Sequence, residues 1–315
     1  MTSKILSCDW GTSVFRLRLI DVDKCTVLAE TSESWGIAAL YTKWLETGLG
    51  EHARIDFYKN ILLSYIKKIG QEHLAGVPVI ISGMASSSMG MIELPYQETP
   101  FVINRDKLNL FKISKDGHGD HEIWIISGLR TPEDVMRGEE TMLMGCELEK
   151  RNAPQLFIFP GTHSKQVIVD DLIVRDIKTY MTGELFELTS SKSILASGIE
   201  RDDQFPGKDS AFIKGVQDAS GKNLLNGLFH VRTNDLFKKL TKKENYYYLS
   251  GLLIGEELKS IQHDHFDTIH LVSTGALLAL YSDALAALGI RNKVRTHDAV
   301  RALILGQLSI FRDYQ

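Results

Sequence analysis

The segment Cys8-Asp9-Trp10-Gly11-Thr12-Ser13 constrains the fold of the chain most strongly. It lies between a short apolar run, residues 5–6, and a run at residues 15–20 in which apolar residues alternate with arginines. Such alternation is typical of a half-buried strand. The segment therefore predicts a hairpin with its turn at Gly11, where the missing Cβ allows the backbone to approach a ligand closely.

The predicted turn carries the groups that a phosphate site needs. Thr12 and Ser13 supply hydroxyl groups beside backbone N–H groups, a concave set of donors suited to phosphate oxygens. Asp9 stands at the end of the first strand, where its carboxylate can hold a hydrated Mg²⁺ next to those phosphates. A tight hairpin with a capping aspartate is the alternative, and this segment alone does not separate the two.

A second segment of the same kind follows later in the chain. A buried strand at residues 156–159 ends at Pro160-Gly161-Thr162-His163-Ser164-Lys165. A further apolar strand, residues 269–272, leads into a turn before Gly275 and Ala276. We interpret the two Gly-Thr turns as one phosphate loop in each half of a duplicated α/β fold. Gly275 and Ala276 suit a nucleotide base or ribose, and the three loops would converge if the two halves face each other.

Residues 134–150 predict a helix with Glu139 and Glu140 near its start. Carboxylates in a first helical turn usually complement the helix dipole, which accounts for at least one of the pair. The other interpretation makes one of them the general base of a phosphoryl transfer, which needs positioning, charge neutralisation and a group that accepts the hydroxyl proton. Glu139 is our candidate, and Glu140 is the second choice.

Basic side chains near these segments could bind anionic groups. Lys165 can act as a charge clamp beside the second turn, whereas a solvated lysine is the ordinary alternative. His163, at the same turn, is more often a structural residue. Arg16 and Arg130 could bind an acidic substrate through bidentate contacts, with simple surface exposure as the alternative. The small-residue loop at residues 83–90 follows a buried strand, a position where open α/β sheets bind ligands.

Composition excludes several classes of protein. The net charge of −4 provides no basic field for nucleic acid or an anionic membrane. The longest apolar segment, residues 271–290, is interrupted by polar residues and is typical of a strand, a turn and a helix rather than a membrane span. Cys8, Cys25 and Cys146 share no metal or redox spacing, which fits a reduced cytoplasm.

Six segments spread over nearly the whole chain carry a further signal. In order, they are Asp9-Trp10-Gly11-Thr12-Ser13 with Phe15-Arg16, Gly83-Met84 with Leu94-Pro95-Tyr96, residues 135–141, residues 160–165, residues 179–186 and residues 249–255. Together they resemble the 2-keto-3-deoxygalactonokinase family, which is part of the superfamily of sugar kinases, heat-shock ATPases and actin. Residues 136–141 and 160–165 are the most specific of these segments.

The resemblance implies an α/β fold of two ribonuclease-H-like (actin-like ATPase) lobes with a nucleotide cleft between them. We expect an N-terminal lobe at residues 1–130, completed by a helix at residues 298–315, and a C-terminal lobe at residues 131–297. The implied reaction transfers the γ-phosphoryl group of ATP to the terminal 6-hydroxyl of 2-dehydro-3-deoxy-D-galactonate in galactonate catabolism, with Mg²⁺. The implied partners are ATP and this sugar acid. Whether the protein forms a homodimer is a question that the sequence leaves open.

The motifs and the resemblance together assign a candidate site. Asp9 holds the metal and Glu139 accepts the proton. The residues that bind the nucleotide and its phosphates are Gly11, Thr12, Ser13, Gly161, Thr162, Lys165, Gly275 and Ala276. The residues that bind the sugar acid are Arg16, Ser86, Ser87, Tyr96 and His163.

Two alternatives remain. The loop at residues 85–91 lacks the Arg and Trp that the family often carries, so a kinase of another sugar or sugar acid stays open. A non-catalytic nucleotide-binding regulator on the same fold is the other alternative. It predicts an appended DNA-binding segment or a basic face, and the sequence shows neither.

Overall fold

The computed structural model describes residues 3–70, 74–103, 106–115, 120–149, 153–202, 204, 207–262, 266–290 and 294–314. The chain forms two units: unit 1 comprises residues 1–148 and 301–315, and unit 2 comprises residues 149–300. The first unit boundary follows Leu148, whereas the sequence places a domain boundary after residue 130. The segment around Thr141 lies against the C-terminal helix within unit 1.

The secondary structure of unit 1 is mixed. Its strands are β1 (Lys4–Trp10), β2 (Phe15–Asp21), β3 (Thr26–Glu33), β4 (Val79–Gly83), β5 (Gln97–Glu98), β6 (Phe101–Val102), β7 (Leu110–Ile113), β8 (Ile123–Ile126), β9 (Leu129–Arg130) and β10 (Val135–Met136). Its helices before the C-terminal one are α1 (Ile37–Glu46), α2 (Arg54–Lys68) and α3 (Glu139–Met144).

The predicted N-terminal hairpin lies at the centre of a sheet with the order β3-β2-β1-β4-β8-β7. Strands β1, β2 and β3 are antiparallel, whereas β4 runs parallel to both β1 and β8. Every residue of β4 is buried, as expected for an apolar strand that is covered on both faces. Because β1 and β4 are parallel, their carboxyl ends meet at one edge of the sheet.

Aromatic packing fills the core of unit 1 next to the hairpin. Trp10 is fully buried, and its ring meets Phe15 and Tyr58 edge-on, with ring centres 5.0 and 5.7 Å apart. Apolar residues recur at helical spacing over residues 57–69, which predicts an amphipathic helix. Tyr58 belongs to α2, so this prediction is confirmed. The sequence does not predict helix α1, because residues 34–37, where it begins, are typical of a loop.

The helix predicted at residues 134–150 is wrong in its start and its length. Residues 135–136 form β10, which pairs antiparallel with β9. The hydroxyl of Thr131 accepts hydrogen bonds from the N–H groups of Glu133 and Asp134, at 3.2 and 2.8 Å. A threonine hydroxyl can cap a turn as well as a helix, and here it caps the turn between two strands.

Unit 2 repeats the strand order of unit 1. Its strands are β11 (Gln155–Phe159), β12 (Ser164–Asp170), β13 (Ile173–Tyr180), β14 (Thr268–Ser273) and β15 (Val294–Asp298), arranged as β15-β14-β11-β12-β13. The first strand is central, with two strands joined in antiparallel fashion on one side and two parallel strands on the other. Unit 1 has the same five strands and a sixth, β7, which is antiparallel to β8 at the edge of its sheet. This shared ribonuclease-H-like topology confirms the predicted fold class.

Helices make up the rest of unit 2 and the end of the chain. They are α4 (Thr182–Lys192), α5 (Ser210–Gly221), α6 (Leu224–Leu236), α7 (Lys242–Leu258), α8 (Gly275–Ala287) and α9 (Ala299–Asp313). Apolar spacing in the sequence predicts two helices, at residues 224–229 and 233–240. The structure has one helix there, α6, which ends at Leu236, because no Gly or Pro interrupts residues 230–232. No helix in the described ranges is long and apolar enough to cross a membrane.

Helix α9 belongs to unit 1 from Arg301 onwards and packs backbone against backbone on α3. A Cβ added at Gly306 would lie 1.8 Å from the carbonyl oxygen of Thr141. The fully buried amide of Gln307 donates to the carbonyl oxygen of Cys8 at 3.0 Å and to the hydroxyl of Ser82 at 2.9 Å. Helix α9 therefore ties α3 to the ends of β1 and β4.

We expect Gly306→Ala to lower the free energy of unfolding by about 2–3 kcal/mol or more, because the new methyl group overlaps the Thr141 carbonyl and forces the backbones apart. Urea unfolding measures this loss. Gly221→Ala is the matched control, since a Cβ there meets no atom within 4 Å, and we expect a change within about 1 kcal/mol. Equal stability of the two variants would contradict the close helix contact.

Candidate active site

The turn after β1 presents its amide groups on one side because its carbonyl groups are bound on the other. The carbonyl oxygens of residues 11–13 accept hydrogen bonds of 3.0, 3.1 and 3.2 Å from the N–H groups of residues 36–38 at the start of α1. The contact is so close that a Cβ at Gly36 would lie 2.3 Å from the carbonyl oxygen of Thr12. Within the described residues, the N–H groups of Thr12 and Ser13 have no hydrogen-bond partner. Such free amides are what a phosphate loop needs.

Asp9 lies opposite Arg16 in the hairpin. Nη1 of Arg16 donates to Oδ2 of Asp9 at 3.2 Å, and 30% of the Asp9 side chain stays exposed. Burial raises the pKa of Asp9, and the positive charge of Arg16 opposes that shift. Arg16, predicted to bind substrate, therefore pairs with the predicted metal ligand.

The acidic groups in the described part of the chain do not form a ready metal cage. Among the residues that the structure describes, no three His, Cys, Asp or Glu side chains come together as a metal site. A cation at Asp9 would take its other ligands from phosphate oxygens and water, which is the usual coordination of Mg²⁺ in phosphate-transfer sites. The partly exposed carboxylate of Asp9 fits that role.

Glycines place the start of α3 beside the ends of β1 and β4. A Cβ at Gly138 would lie 3.4 Å from Cα of Gly83, and a Cβ at Gly83 would lie 2.8 Å from the carbonyl oxygen of Trp10. Both glycines have positive φ, 105° and 94°, which residues with a side chain rarely adopt. Unit 1 thus brings the predicted base segment to the sheet edge where Asp9 lies.

Glu139 and Glu140 have different surroundings. Glu140 is 1% exposed, and its carboxylate accepts hydrogen bonds from the N–H of Gly138 at 2.7 and 2.9 Å and from the hydroxyl of Thr141 at 3.0 Å. Burial, with a smaller contribution from the charge of Glu139, raises the pKa of Glu140 to about 8. Glu139 is partly exposed, and it accepts a hydrogen bond from the N–H of Arg137 at 3.0 Å. Of the two carboxylates, Glu139 is the more accessible.

Arg137, which sequence analysis did not select, joins the loop after β4 to Tyr96. Its Nη1 donates to the hydroxyl of Ser86 at 2.6 Å, and its Nη2 donates to the carbonyl oxygen of Leu94 at 3.1 Å. The guanidinium carbon lies 3.9 Å from the centre of the Tyr96 ring. Arg137 therefore brings together two of the predicted sugar-acid residues, and its place in the specific segment at residues 136–141 was the signal available for it.

Two further candidates have partners of their own. The hydroxyl of Ser87 donates to the carbonyl oxygen of Met84 at 2.7 Å, within the same loop. Arg130 pairs with Glu98 on the surface, and half of its side chain is exposed. Exposure at the surface, the plain alternative for Arg130, is therefore what the structure shows.

In unit 2, Gly183 packs on the turn after β11 as Gly36 does in unit 1. A Cβ at Gly183 would lie 2.5 Å from the carbonyl oxygen of Gly161 and 2.8 Å from Cα of Thr162. The N–H of Glu184 donates to the carbonyl oxygen of Thr162 at 3.0 Å. Both predicted phosphate turns therefore have the start of a helix bound on their carbonyl side.

The two side chains that flank this second turn differ. Nε2 of His163 lies 2.5 Å from Oε2 of Glu184, so the imidazole is bound to α4. Lys165 is 7% exposed and has no ion pair or hydrogen bond from its ammonium group within the described part of the chain. An unpaired ammonium group close to the turn is suited to neutralising a phosphate charge.

A cavity of about 200 Å³ adjoins the turn in unit 2. Of the predicted nucleotide residues, Gly161 and Ala276 line this cavity, whereas Thr162, Lys165 and Gly275 are not among the lining residues. Its walls are largely apolar and aromatic, as in most small-molecule sites. Sequence analysis missed Phe186, Tyr246, Tyr247 and Leu280 in these walls, because aromatic and aliphatic residues in a helix look the same whether they face a core or a cavity.

Two α/β units of one topology, each with a glycine-bound turn after its first strand, are typical of the fold that actin-like ATPases and sugar kinases share. Residues 9–309 match the 2-keto-3-deoxy-galactonokinase family. The chain belongs to this family, which confirms the resemblance found in its motifs.

Similar proteins agree with this assignment. A protein of Rhizobium meliloti (strain 1021), named as a probable 2-dehydro-3-deoxygalactonokinase, is 34% identical over 303 residues, which cover 93% of each chain. The 2-dehydro-3-deoxygalactonokinase of Escherichia coli (strain K12) is 32% identical over 301 residues, covering 92% of this chain and 91% of that one. A crystal structure from Sinorhizobium meliloti, assigned as a 2-dehydro-3-deoxygalactonokinase, has a TM-score of 0.83 at 31% identity and covers 98% of this chain and 96% of its own.

The raised pKa of Glu140 predicts a pH-dependent loss of stability that Glu140→Gln removes. The pKa is about 8 in the folded protein against an ordinary value of 4.5. The free energy of unfolding therefore falls as pH rises from about 4.5 to about 8, because over this range the unfolded chain binds fewer protons than the folded protein does. We expect Glu140→Gln to gain stability relative to the parent protein over this range, by a difference on the order of 4 kcal/mol.

Urea unfolding at several pH values between about 5 and 8.5 measures this difference. Glu133→Gln, which alters an exposed carboxylate, is the control and should follow the parent protein at every pH. A stability difference for Glu140→Gln that stays constant, or that falls as pH rises, would show that the Glu140 pKa is not raised.

Proposed function

We propose that this protein is an ATP-dependent kinase that phosphorylates the terminal 6-hydroxyl of 2-dehydro-3-deoxy-D-galactonate. The observation that carries this proposal is the family match over residues 9–309. The names of the two similar proteins from R. meliloti and E. coli support the same sugar acid. The predicted phosphate turns, each bound by a helix start on its carbonyl side, support phosphoryl transfer as the chemistry.

We assign the nucleotide to the turns and the cavity. The free amides of Thr12 and Ser13 bind phosphate oxygens in unit 1, and the Gly161–Thr162 turn with Lys165 does so in unit 2. The base or ribose lies in the cavity beside Ala276, whose apolar walls suit a planar heterocycle. That both turns bind the same triphosphate remains a prediction.

We assign Mg²⁺ to Asp9, which would bind the ion directly or through a water molecule. The ion supplies positive charge that neutralises the phosphate oxygens during transfer. Arg16 lies 3.2 Å from the Asp9 carboxylate, and its positive charge opposes the rise in the Asp9 pKa that burial causes, which favours the ionised form that a cation needs.

The sugar acid is assigned to the loop after β4. Ser86 and Tyr96, held by Arg137, help to form this site together with Ser87. Arg16 and His163 are the remaining residues proposed for the sugar acid. Residues 85–91 contain no cationic side chain, and this favours a different sugar or sugar acid as the second candidate substrate.

Glu139 is proposed as the general base. Its carboxylate accepts the proton of the sugar hydroxyl while the oxygen forms its bond to the γ-phosphorus and the bond to the β-phosphate oxygen breaks. Glu139 is the more accessible of the two carboxylates, whereas Glu140 is bound to the backbone of its own loop. Closure around the substrates would exclude water and so limit hydrolysis of ATP.

We also propose that the protein works in the cytoplasm. The three cysteines are free thiols in the structure, which fits a reducing compartment. Fractionation of cells that produce the protein tests this location. A homodimer remains a prediction, and static light scattering tests it.

The substrate proposal predicts ATP consumption that depends on 2-keto-3-deoxygalactonate. A coupled assay for ADP, run over a panel of keto-deoxy sugar acids and neutral sugars, measures the preference. The highest kcat/KM should belong to the galactonate derivative, and mass spectrometry of the product should place the phosphate on its terminal hydroxyl. Activity with a neutral sugar alone would assign a different substrate, and no activity with any of them would refute the kinase proposal.

The base proposal predicts that Glu139→Gln lowers kcat by about 10²-fold or more, because the amide cannot accept the proton. KM for ATP should stay within about 3-fold, since Glu139 is not assigned to the nucleotide. Glu133→Gln is the control and should retain kcat. Normal turnover in Glu139→Gln, together with a large loss in Glu140→Gln, would move the role to Glu140.

A further inference from the structure

The carboxylate of Glu257 binds three hydroxyl groups inside unit 2. Glu257 lies near the end of α7 and is 2% exposed. Its Oε1 accepts a hydrogen bond from Ser164 at 2.7 Å. Its Oε2 accepts hydrogen bonds from Thr182 at 2.5 Å and from Tyr281 at 2.6 Å. None of the roles proposed above uses this group.

Each of the three hydroxyls belongs to an element that shapes the nucleotide region. Ser164 begins β12, directly after the predicted phosphate turn. Thr182 begins α4, one residue before the glycine that packs on Gly161. Tyr281 lies in α8, and both Thr182 and Tyr281 line the cavity. A single buried carboxylate thus links the turn to two walls of the cavity.

If its only role were to stabilise the fold, this buried carboxylate would be an unfavourable choice. Removing a carboxylate from water disfavours its charged form, and burial accordingly raises the pKa of Glu257 despite its hydrogen bonds. An apolar side chain would hold the same elements together without this cost. The carboxylate provides something that an apolar contact does not, which is a fixed direction for each hydroxyl and therefore for the backbone that carries it.

We propose that Glu257 is a positioning residue for the nucleotide: through Ser164, Thr182 and Tyr281 it holds the Gly161–Thr162 turn and the cavity walls in the arrangement that binds ATP. Glu257 acts through these residues and does not itself touch the substrates. The inference rests on the proposed function, since it assigns ATP to this cavity.

The test compares Glu257→Gln, Tyr281→Phe and the double variant with a matched control. Tyr248→Phe is that control, because Tyr248 is also buried in unit 2 and donates to a carboxylate, Asp218, at 2.8 Å, yet it does not line the cavity. Titration calorimetry gives Kd for MgATP. Steady-state kinetics gives KM for ATP and for 2-keto-3-deoxygalactonate, and thermal unfolding gives Tm.

We expect Glu257→Gln and Tyr281→Phe to raise Kd and KM for ATP by about 10-fold or more, with KM for the sugar acid changed by less than about 3-fold. The double variant should be little worse than Glu257→Gln alone, because both changes remove the same interaction. Tyr248→Phe should lower Tm as Tyr281→Phe does, while its Kd for ATP stays within about 2-fold of the parent value.

Other outcomes separate the two proposals. A lower Tm with an unchanged Kd for ATP, or an equal rise in both KM values, would overturn the positioning role and leave the proposed function intact. Absence of ATP binding by the parent protein would overturn both. If Glu257→Gln does not fold, Tyr281→Phe and Thr182→Val test the positioning role instead. In these variants KM for ATP should rise while KM for the sugar acid stays nearly unchanged.

Discussion

A backbone contact with no space for a side chain holds the turn after the first strand in each unit. Gly36 lies on the turn in unit 1, and Gly183 lies on the corresponding turn in unit 2. In both places the start of a helix donates hydrogen bonds to carbonyl oxygens of the turn. Since a peptide group points its carbonyl and its N–H in opposite directions, binding one side leaves the other available to a ligand. The remaining features of the candidate site are arranged around these two turns.

Buried carboxylates then support the segments that adjoin the turns, by different means in the two units. Glu140 accepts hydrogen bonds from the backbone of its own loop and so fixes the entry into α3. Glu257 accepts them from side chains on three separate elements. The first arrangement is local and the second is long-range, but burial raises the pKa of both carboxyl groups, and such perturbed pKa values are common near functional sites.

The sequence predicted a strand or helix correctly where the pattern of one short segment is enough to determine it. Alternation at residues 15–20 predicted β2, and helical spacing predicted α2, because burial of one face determines both patterns. Helix α1 was missed since Gly36 precedes it without a side-chain cap. Strand β15 was missed because most of its residues are exposed at a sheet edge. Thr131 favours a helix start and a turn equally well, and only the pairing of β10 with β9 decides between them.

Site residues that depend on distant partners could not be read from spacing. Arg137 contacts Ser86, which is 51 residues away, and Glu257 contacts Ser164, which is 93 residues away. A motif identifies the residues on one segment but not the segments that meet it in space. The Gly-Thr turns were found because their chemistry is contained within a few consecutive residues, whereas the groups that hold them lie elsewhere in the chain.

The return of α9 to unit 1 has a consequence for how the protein is made. The side-chain amide of Gln307 donates to the carbonyl oxygen of Cys8, a residue 299 positions earlier, so the ends of β1 and β4 lack this support until α9 has left the ribosome. Unit 2 is contiguous in sequence and can complete its own contacts first. Until α9 is available, nascent unit 1 exposes the surface that receives this helix. We expect chaperones to bind unit 1 chiefly during this interval.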